Sequence, residues 1–329
     1  MAKTKLDPEK FCPIPFLQLQ LNPRGNVSAC CFSGEHKVGN VAESSLKEIW
    51  NNAEMRKWRR EFMTGDIEIC ANAMKTFGCH RNYAYLTPKI TLAEVQDGMP
   101  RKLDLRLNGK CNLECIMCDV WREPNHLYDE CDFWTDGPTK IFPYLLEIEM
   151  LGGEPFIQKD TFRFIDEVCK VNKTVTWGFI TNCQYKFTEQ LQSYLDKIRL
   201  RSLHMSLDSV NPETYAKIRL KGDLKKTLST VQSYMRYRDL RKLSGQRMQL
   251  FASMCVQRAN WREIPEFLAF CDERDVQPVL QNVIGRDHLS LRTLERSERE
   301  GIIEFLSPLL AGKHQGGVRF VIDEVRGSL

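Results

Sequence analysis

The stretch Leu103-Asp-Leu-Arg-Leu-Asn-Gly-Lys-Cys-Asn-Leu-Glu-Cys-Ile-Met-Cys118 decides how the rest of the sequence is interpreted. It begins with an apolar–polar alternation typical of a strand and runs directly into a loop that carries Cys111, Cys115 and Cys118. Three thiolates on one short loop can hold three corners of an iron–sulfur cube and leave the fourth iron without a protein ligand. Structural zinc is the alternative, but it takes four ligands, usually in separated Cys-x2-Cys pairs.

The composition is that of a globular protein with a sizeable core. Of the 329 residues, 42% are hydrophobic and 27% are charged, which excludes disordered and collagen-like classes. Basic and acidic residues are nearly balanced, at 47 and 43, and the net charge of +4 does not indicate nucleic-acid binding. No nucleic-acid partner is therefore expected. No run approaches the ~18 apolar residues of a membrane span, and residues 1–10 lack the apolar segment of a signal peptide. We therefore expect a cytoplasmic protein without a membrane partner.

The number of cysteines, thirteen, is unusual for a chain of this kind. In a reducing cytosol such a number favours metal or iron–sulfur ligation over disulfides. The remaining thiols are expected to be buried as small hydrophobic groups.

Strands and helices alternate after residue 101, which predicts an α/β fold with a parallel sheet and outer helices. Six β/α units correspond to a partial (β/α)6 barrel, in which chemistry is expected at the carboxyl ends of the strands. The six predicted strands are Leu103–Leu107, Ile148–Leu151, Val175–Thr181, Ser202–Leu207, Gln249–Val256 and Val279–Val283.

The organisation before the barrel is short and irregular. Residues 1–87 are predicted to form a small, cysteine-rich α+β domain, followed by a linker at 88–100, the barrel at 101–288 and a C-terminal extension at 289–329 that packs on it. Phe16–Leu21 and Val27–Cys31 predict a hairpin. Ser45 and Glu48 form a capping box at the start of a helix that includes Leu46, Ile49, Trp50 and Ala53.

The cysteine triplet, with Ile116 after its second cysteine, closely resembles the signature loop of the radical S-adenosylmethionine (radical SAM) superfamily. Further motifs of that family fall in order at the ends of predicted strands, and the resemblance covers roughly residues 101 to 285. These motifs are Gly152-Gly153-Glu154-Pro155, Ser206-Leu207-Asp208 with Arg219 on the next helix, and Gln257 with Asn260.

The resemblance implies a [4Fe-4S] cluster that chelates S-adenosylmethionine (SAM) at its open iron. Gly152 and Gly153 would let the backbone approach the methionyl ammonium, because they carry no Cβ. The resemblance assigns the ribose hydroxyls and the carboxylate to Ser206, Asp208 and Arg219, and an arginine fork suits a carboxylate. One electron into the sulfonium would give a 5′-deoxyadenosyl radical, which takes a hydrogen atom from the substrate.

Strand alternation gives an expectation that does not depend on the family. Leu203, Met205 and Leu207 share the face that should meet the helices, whereas His204, Ser206 and Asp208 share the face left for the lumen. Each of these polar residues could instead be a satisfied core group. The same parity places Asp104 and Arg106 inside on the first strand, and Gln249, Ser253, Cys255 and Gln257 inside on the fifth.

A second cysteine pattern precedes the barrel and resembles the SPASM or twitch module, which carries auxiliary iron–sulfur clusters. Its four expected ligands, enough for one closed [4Fe-4S] cluster, are Cys12, Cys30, Cys70 and Cys79. Two positions of the module's later cysteine run are Ala73 and Tyr83, so a two-cluster module is not expected. Four thiolates also suit tetrahedral zinc, which stays open as an alternative. Cys31 could replace Cys30, since adjacent strand residues face opposite ways.

Two further thiols lie where a substrate is expected. Cys183 ends the third strand, and Cys255 faces the lumen by parity, so either could donate a hydrogen atom to a substrate radical; a buried, inert thiol is the alternative for both. The basic residues Arg56, Lys57, Arg59 and Arg60 are expected to be solvated.

The leading hypothesis is a radical SAM oxidoreductase that abstracts hydrogen from an unactivated carbon, with a ribosomally made peptide as substrate. One alternative is dehydrogenation or epimerisation of a sugar, cyclitol or nucleoside. A non-catalytic metal-binding interaction protein is the other. The resemblance also implies a flavodoxin- or ferredoxin-type electron donor.

Overall fold

The structure, a computed structural model, describes residues 7, 10–30, 36–71, 90–129 and 131–327. The chain divides into two compact units. The first comprises Met1–Lys110, Arg122–Trp177 and Tyr194–Arg199, and the second comprises Cys111–Trp121, Gly178–Ser193 and Leu200–Leu329.

The first unit contains a mixed sheet in the order β3-β2-β1-β4-β5. Strand β1 is antiparallel to β2 and parallel to β4, which in turn is parallel to β5. Its strands are β1 (Gln18–Leu21), β2 (Asn26–Ser28), β3 (Gly39–Asn40), β4 (Lys102–Leu105) and β5 (Glu147–Met150). Its described α-helices are α1 (Leu46–Trp50), α2 (Ala53–Thr64), α3 (Phe133–Asp136) and α4 (Lys159–Val171).

The second unit is built on the parallel strands β7-β8-β9, while β6 (Thr176–Thr181) begins in the first unit and ends in the second. The other strands are β7 (Arg199–Ser206), β8 (Gln249–Val256) and β9 (Gln277–Asn282). The remaining described α-helices are α5 (Glu189–Asp196), α6 (Pro212–Ile218), α7 (Leu224–Leu243), α8 (Ile264–Glu273), α9 (Arg296–Leu306) and α10 (Gln315–Arg326).

The α/β class and the open, largely parallel sheet are confirmed. Strand β8 has the bounds given by its apolar pattern, and the other five barrel strands agree within a few residues. The capping box is also present, since Ser45 N donates to Glu48 Oε2 at 2.9 Å and Glu48 N donates to Ser45 Oγ at 3.3 Å. The helix that follows is shorter than expected, because Asn52 starts a second helix by accepting from Met55 N at 2.9 Å.

The N-terminal hairpin lies in the same compact unit as the first barrel strand. Strand β1 pairs with β4 in parallel from Gln18 opposite Lys102 to Leu21 opposite Leu105. A parallel pairing between distant segments leaves no local signal in the sequence. The domain limits at 87 and 101 stay a prediction, but this pairing extends the sheet across them.

Arg59 was expected to be solvated, and that expectation is wrong. Its side chain is fully buried, and its guanidinium donates to Pro15 O at 3.0 Å, to Trp50 O at 2.7 Å and to Glu94 O at 2.8 Å. It also stacks on the Trp50 ring at 4.2 Å. A charged group is tolerated there because carbonyl oxygens replace its water.

The C-terminal helix α10 packs against β9 in the second unit. Its apolar face, Val318, Val321, Ile322 and Val325, is buried, and Gly317 approaches the side chain of Leu280. None of the helices in the described ranges is both long enough and apolar enough to cross a bilayer.

Candidate functional site

The three cysteines that follow β4 lie on a loop without regular secondary structure, and the loop is fastened by backbone hydrogen bonds within the second unit. Glu114 N donates to Leu220 O at 3.2 Å, and Ile116 N donates to Ile218 O at 3.0 Å. The loop therefore follows the backbone just beyond α6, which places Cys115 next to Arg219. Leu113 anchors it by burying its side chain.

The sulfurs of this loop lie at intermediate depth and form no disulfides. Cys111 Sγ accepts from Leu113 N at 3.4 Å and from Asn182 Nδ2 at 3.6 Å, and Arg219 Nη1 donates to Cys115 Sγ at 3.9 Å. Burial raises the pKa of the Cys115 thiol to about 11, although the nearby Arg219 lowers it. A bound metal offsets such a cost, because a coordinating thiol is deprotonated outright.

No three His, Cys, Asp or Glu side chains among the described residues are arranged around one metal-ion position. That finding concerns a single ion. In an iron–sulfur cube each of the three thiols binds a different iron.

Asp208 and Arg219 form a buried ion pair beside this loop. Asp208 Oδ2 lies 2.9 Å from Arg219 Nη2, and the two side chains are 2% and 5% exposed. Burial alone would lower the pKa of Arg219, but the Asp208 carboxylate raises it above its usual value, so the guanidinium stays charged. The other carboxylate oxygen accepts from Cys255 N at 2.7 Å, so Asp208 joins β8 to the segment after α6.

Asn260 fastens the backbone at the carboxyl ends of β7 and β8. Its Nδ2 donates to Asp208 O at 2.8 Å and to Cys255 O at 3.0 Å, while its Oδ1 accepts from Gln257 N at 2.8 Å. All of its polar atoms are thus used within the protein. Its contribution to a SAM site would be to shape the backbone there.

Three buried polar atoms beside these residues have no hydrogen-bond partner in the described part of the chain, and one of them, Asp208 Oδ2, is already in the ion pair with Arg219. The other two are Arg219 Nε and Gln257 Oε1, on side chains that are at least nine-tenths buried. Buried polar atoms are rarely left unpaired in folded proteins. One donor and one acceptor at this place are thus free of hydrogen bonds within the described residues, and their chemistry fits the carboxylate and amino groups of SAM. Ser206, the last residue of β7, is half-buried.

The Gly-Gly-Glu motif lies in the first unit, where the need for glycine comes from the chain's own backbone. A Cβ on Gly153 would lie 2.1 Å from Lys110 O, and Gly152 has a φ of +137°. Glu154 is fully buried, donates from its N–H to Lys110 O at 2.9 Å and accepts from Phe156 N at 3.1 Å. The assignment of Gly152, Gly153 and Glu154 to SAM stays a prediction.

The two proposed hydrogen donors differ in accessibility. Cys183 is fully buried and has a φ of +57°. Cys255 is only partly buried and faces the same side of the sheet as Ser253. Burial and the Asp208 carboxylate raise the pKa of Cys255 to about 12, so its thiol keeps its hydrogen. Of the two, the geometry favours Cys255.

The N-terminal cysteines are only partly covered by the structure. Cys12 and Cys70 are buried and Cys30 is half-buried, all in the first unit. Cys79 and Cys31 lie outside the described residues. The ligand set of an auxiliary cluster therefore stays a prediction.

The sequence reasoning missed Asn182, which donates to the sulfur of Cys111. The residue directly follows β6, so its position at a strand end was the available signal.

Two family models match this chain, one on each side of residue 100. The model of an iron–sulfur cluster-binding domain, SPASM, matches residues 12–73, and the model of the radical SAM superfamily matches residues 105–239. The fold and the site thus define a cluster-binding α/β protein. Residues 12–73 are thus a SPASM domain and residues 105–239 a radical SAM domain, and this pair of domains fits [4Fe-4S] clusters and SAM as cofactors.

Curated relatives differ in what their names say they do. A probable GTP 3′,8-cyclase of Methanocaldococcus jannaschii is 26% identical over 190 residues, which cover 55% of this chain and 57% of that protein. The subtilosin biosynthesis protein AlbA of Bacillus subtilis is 30% identical over 140 residues, covering 41% of this chain and 30% of AlbA. The chain spans about half the length of the cyclases it matches.

Solved structures with a similar fold include anSMEcpe with bound AdoMet, at 17% identity and a TM-score of 0.48 over 69% of this chain and 61% of that chain. Streptococcus suis SuiB bound to its precursor peptide SuiA is similar at 13% identity and a TM-score of 0.46, over 90% of this chain and 69% of SuiB.

Proposed function

We propose that this protein reductively cleaves SAM and uses the cleavage to abstract a hydrogen atom from an unactivated carbon of its substrate. The observation that carries the proposal is the cysteine loop, in which Cys111 and Cys115 already receive side-chain donors. When bound, the cluster and SAM supply the one-electron chemistry. The chain supplies the three thiols and a buried guanidinium beside them.

Roles for the surrounding residues follow from their contacts. The unpaired Arg219 Nε would bind the SAM carboxylate, and Gln257 Oε1 would accept from its amino group or adenine. Ser206 would contribute a hydroxyl to the ribose. Gly152 and Gly153 would keep the end of β5 close to the backbone after β4.

We propose a ribosomally made peptide as the substrate. The SPASM match and the similarity to AlbA, a bacteriocin biosynthesis protein, support this class. Electrons would come from a flavodoxin- or ferredoxin-type protein. A partly accessible Cys255 would give its thiol hydrogen atom to the substrate radical, as in an epimerisation. The thiyl radical left on Cys255 would then take one electron from the donor protein and one proton to restore the thiol.

A nucleotide is the second candidate substrate, because several curated relatives are named GTP 3′,8-cyclases. This candidate belongs to the class of sugar, cyclitol and nucleoside chemistry. A mass-spectrometric assay would compare GTP with any short peptide found to be encoded next to this protein's gene. Consumption of one and not the other decides between them.

The cleavage itself is tested with Cys115→Ala and the matched variant Cys169→Ala, which removes a thiol from α4 that belongs to neither group of expected cluster ligands. The measurement is 5′-deoxyadenosine formed from SAM under anaerobic reduction. Cys115→Ala should abolish the product and Cys169→Ala should retain it. Cleavage that survives Cys115→Ala would contradict the proposal. A loaded wild-type protein that forms no 5′-deoxyadenosine would instead support a non-catalytic binding role.

A further inference from the structure

Two of the three sulfurs on the cysteine loop receive side-chain donors from other parts of the second unit. Asn182 Nδ2 lies 3.6 Å from Cys111 Sγ, and Arg219 Nη1 lies 3.9 Å from Cys115 Sγ. Cys118 Sγ receives no such donor from the described residues. The three corners of a bound cluster would therefore differ in their hydrogen bonding.

Both donors are held by further contacts. Asn182 Nδ2 also donates to Asn112 Oδ1 at 2.9 Å, and Asn182 Oδ1 accepts from Gln184 N at 2.7 Å. The amide is thereby fixed with its NH2 group toward Cys111.

Arg219 is held by Asp208, which is itself fixed by Cys255 N. The three guanidinium nitrogens therefore have different surroundings. Nη2 contacts Asp208, Nη1 contacts Cys115, and Nε has no hydrogen-bond partner in the described part of the chain. One arginine can thus contact the cluster's sulfur and SAM through different nitrogens.

We infer that Asn182 and Arg219 are positioning residues for the cluster, which orient the Cys111 and Cys115 sulfurs and raise the cluster's reduction potential. Hydrogen bonds to the sulfurs and the local charge are among the factors that set the potential of an iron–sulfur cluster. A donor or a cation stabilises the reduced state more, because that state carries one more negative charge. The inference rests on the proposed function in one respect, that the loop holds the cluster.

The inference gives Asp208 a different role from binding ribose hydroxyls. Both of its carboxylate oxygens face protein groups, so its role is to hold Arg219 charged and aimed at Cys115. Removing one partner of such a buried pair leaves an uncompensated charge, which is costly. Asp208 is therefore expected to matter through Arg219.

The test is the midpoint potential of the reconstituted cluster, measured without SAM by redox titration with electron paramagnetic resonance. Arg219→Gln and Asn182→Ala should each shift it to a more negative value. A tenfold loss in the reduction equilibrium corresponds to about 59 mV for a one-electron couple. The signal of the loop's cluster is identified by its change when SAM is added.

Lys221→Gln is the matched control. Lys221 lies two residues from Arg219 and pairs with Glu114 on the same loop, but its side chain is 63% exposed and contacts no sulfur. The variant removes the same unit of charge without removing a hydrogen bond to sulfur. Its potential should equal that of the wild type.

Unchanged potentials in Arg219→Gln and Asn182→Ala, with weaker SAM binding alone, would overturn the inference. If Arg219→Gln fails to fold, the double variant Asp208→Asn/Arg219→Gln removes both buried charges and permits the same comparison. Failure of the proposed function looks different: Cys115→Ala would then leave the iron content and the SAM-dependent signal of the protein unchanged.

Discussion

At Gly153 the absence of a side chain allows two segments of the backbone to approach each other closely. The family resemblance predicts glycine here so that a ligand can approach the backbone. In the structure the close neighbour is the chain itself, because a Cβ would lie 2.1 Å from Lys110 O and 2.4 Å from Gly109 O. Backbone atoms cannot move aside as a flexible side chain can. The motif therefore holds two backbone segments together, whatever it binds.

Gly153→Ala should destabilise the fold by about 1–3 kcal/mol, the usual cost of forcing an extra methyl group into a packed site. Gly301→Ala is its control, because Gly301 lies on the exposed side of α9 with nothing within 4 Å of an added Cβ. Alanine there should raise the free energy of unfolding by about 0.5–1 kcal/mol, since glycine weakens a helix interior. Urea denaturation measures both. If Gly153→Ala does not lower the free energy of unfolding relative to Gly301→Ala, the backbone at these strand ends can shift to accommodate a Cβ at little cost.

His204 carries a pH dependence that the sequence does not reveal. Its ring stacks on Phe251 at 4.3 Å, and burial together with Arg201 lowers its pKa to about 4. The unfolded value is about 6.5, so the unfolded chain binds more protons between pH 6.5 and 4. This histidine therefore contributes stability that is complete above pH 6.5 and is lost as the pH falls toward 4.

His204→Phe keeps an aromatic ring against Phe251 and removes the titration. Between pH 6.5 and 5 the wild type should lose about 1.5 kcal/mol of stability relative to the variant, because the slope approaches about 1.4 kcal/mol per pH unit only below pH 6.5. Urea denaturation at the two pH values gives the difference. Parallel losses in both proteins would show that His204 does not change its protonation on unfolding.

Individual elements were predictable where their signal is local. The bounds of β8 follow from its apolar run, and the start of α1 follows from Ser45 and Glu48. The parallel pairing of β1 with β4 could not be predicted, because the sequence of neither strand indicates which distant strand it pairs with. The division at Asn52 was hidden for another reason: helical apolar spacing continues across it, and only the cap interrupts the backbone.

Helix α2 depends on one buried charge for its place in the first unit. Arg59 donates to Pro15 O before β1, to Trp50 O at the end of α1 and to Glu94 O. The helix therefore joins three segments that are separate in sequence. Loss of the guanidinium would leave these carbonyl groups buried and unpaired, at a cost of about 1–3 kcal/mol for each such group.

Arg59→Met should therefore lower the free energy of unfolding by about 3 kcal/mol or more, even though methionine fills much of the volume. Arg60→Met is the comparison, because Arg60 makes an exposed ion pair with Glu94. Such pairs are screened by solvent, so its thermal midpoint should not move. Differential scanning calorimetry of both variants provides the measurement. A similar, small shift in both would contradict the joining role of Arg59.

At the scale of the whole molecule, the compact units do not follow the two family matches. The SPASM match at residues 12–73 and the start of the radical SAM match at 105 lie in one unit, whereas Cys111, Cys115 and Cys118 lie in the other. The sequence identified the triplet because ligand spacing is local. It could not identify the donors to the sulfurs, because Asn182 follows β6 and Arg219 follows α6, both distant from the cysteine loop in sequence.

The number of clusters that the chain holds follows from its two groups of cysteines. Two groups of cysteines predict about eight irons and eight sulfides per chain after anaerobic reconstitution, four for each [4Fe-4S] cluster. The double variant Cys12→Ala/Cys70→Ala should retain about four and still form 5′-deoxyadenosine, because the triplet is untouched. Wild-type protein with about four irons and one zinc would place zinc at the N-terminal cysteines. The chain would then have no second cluster to accept an electron from the substrate, which favours redox-neutral chemistry such as epimerisation.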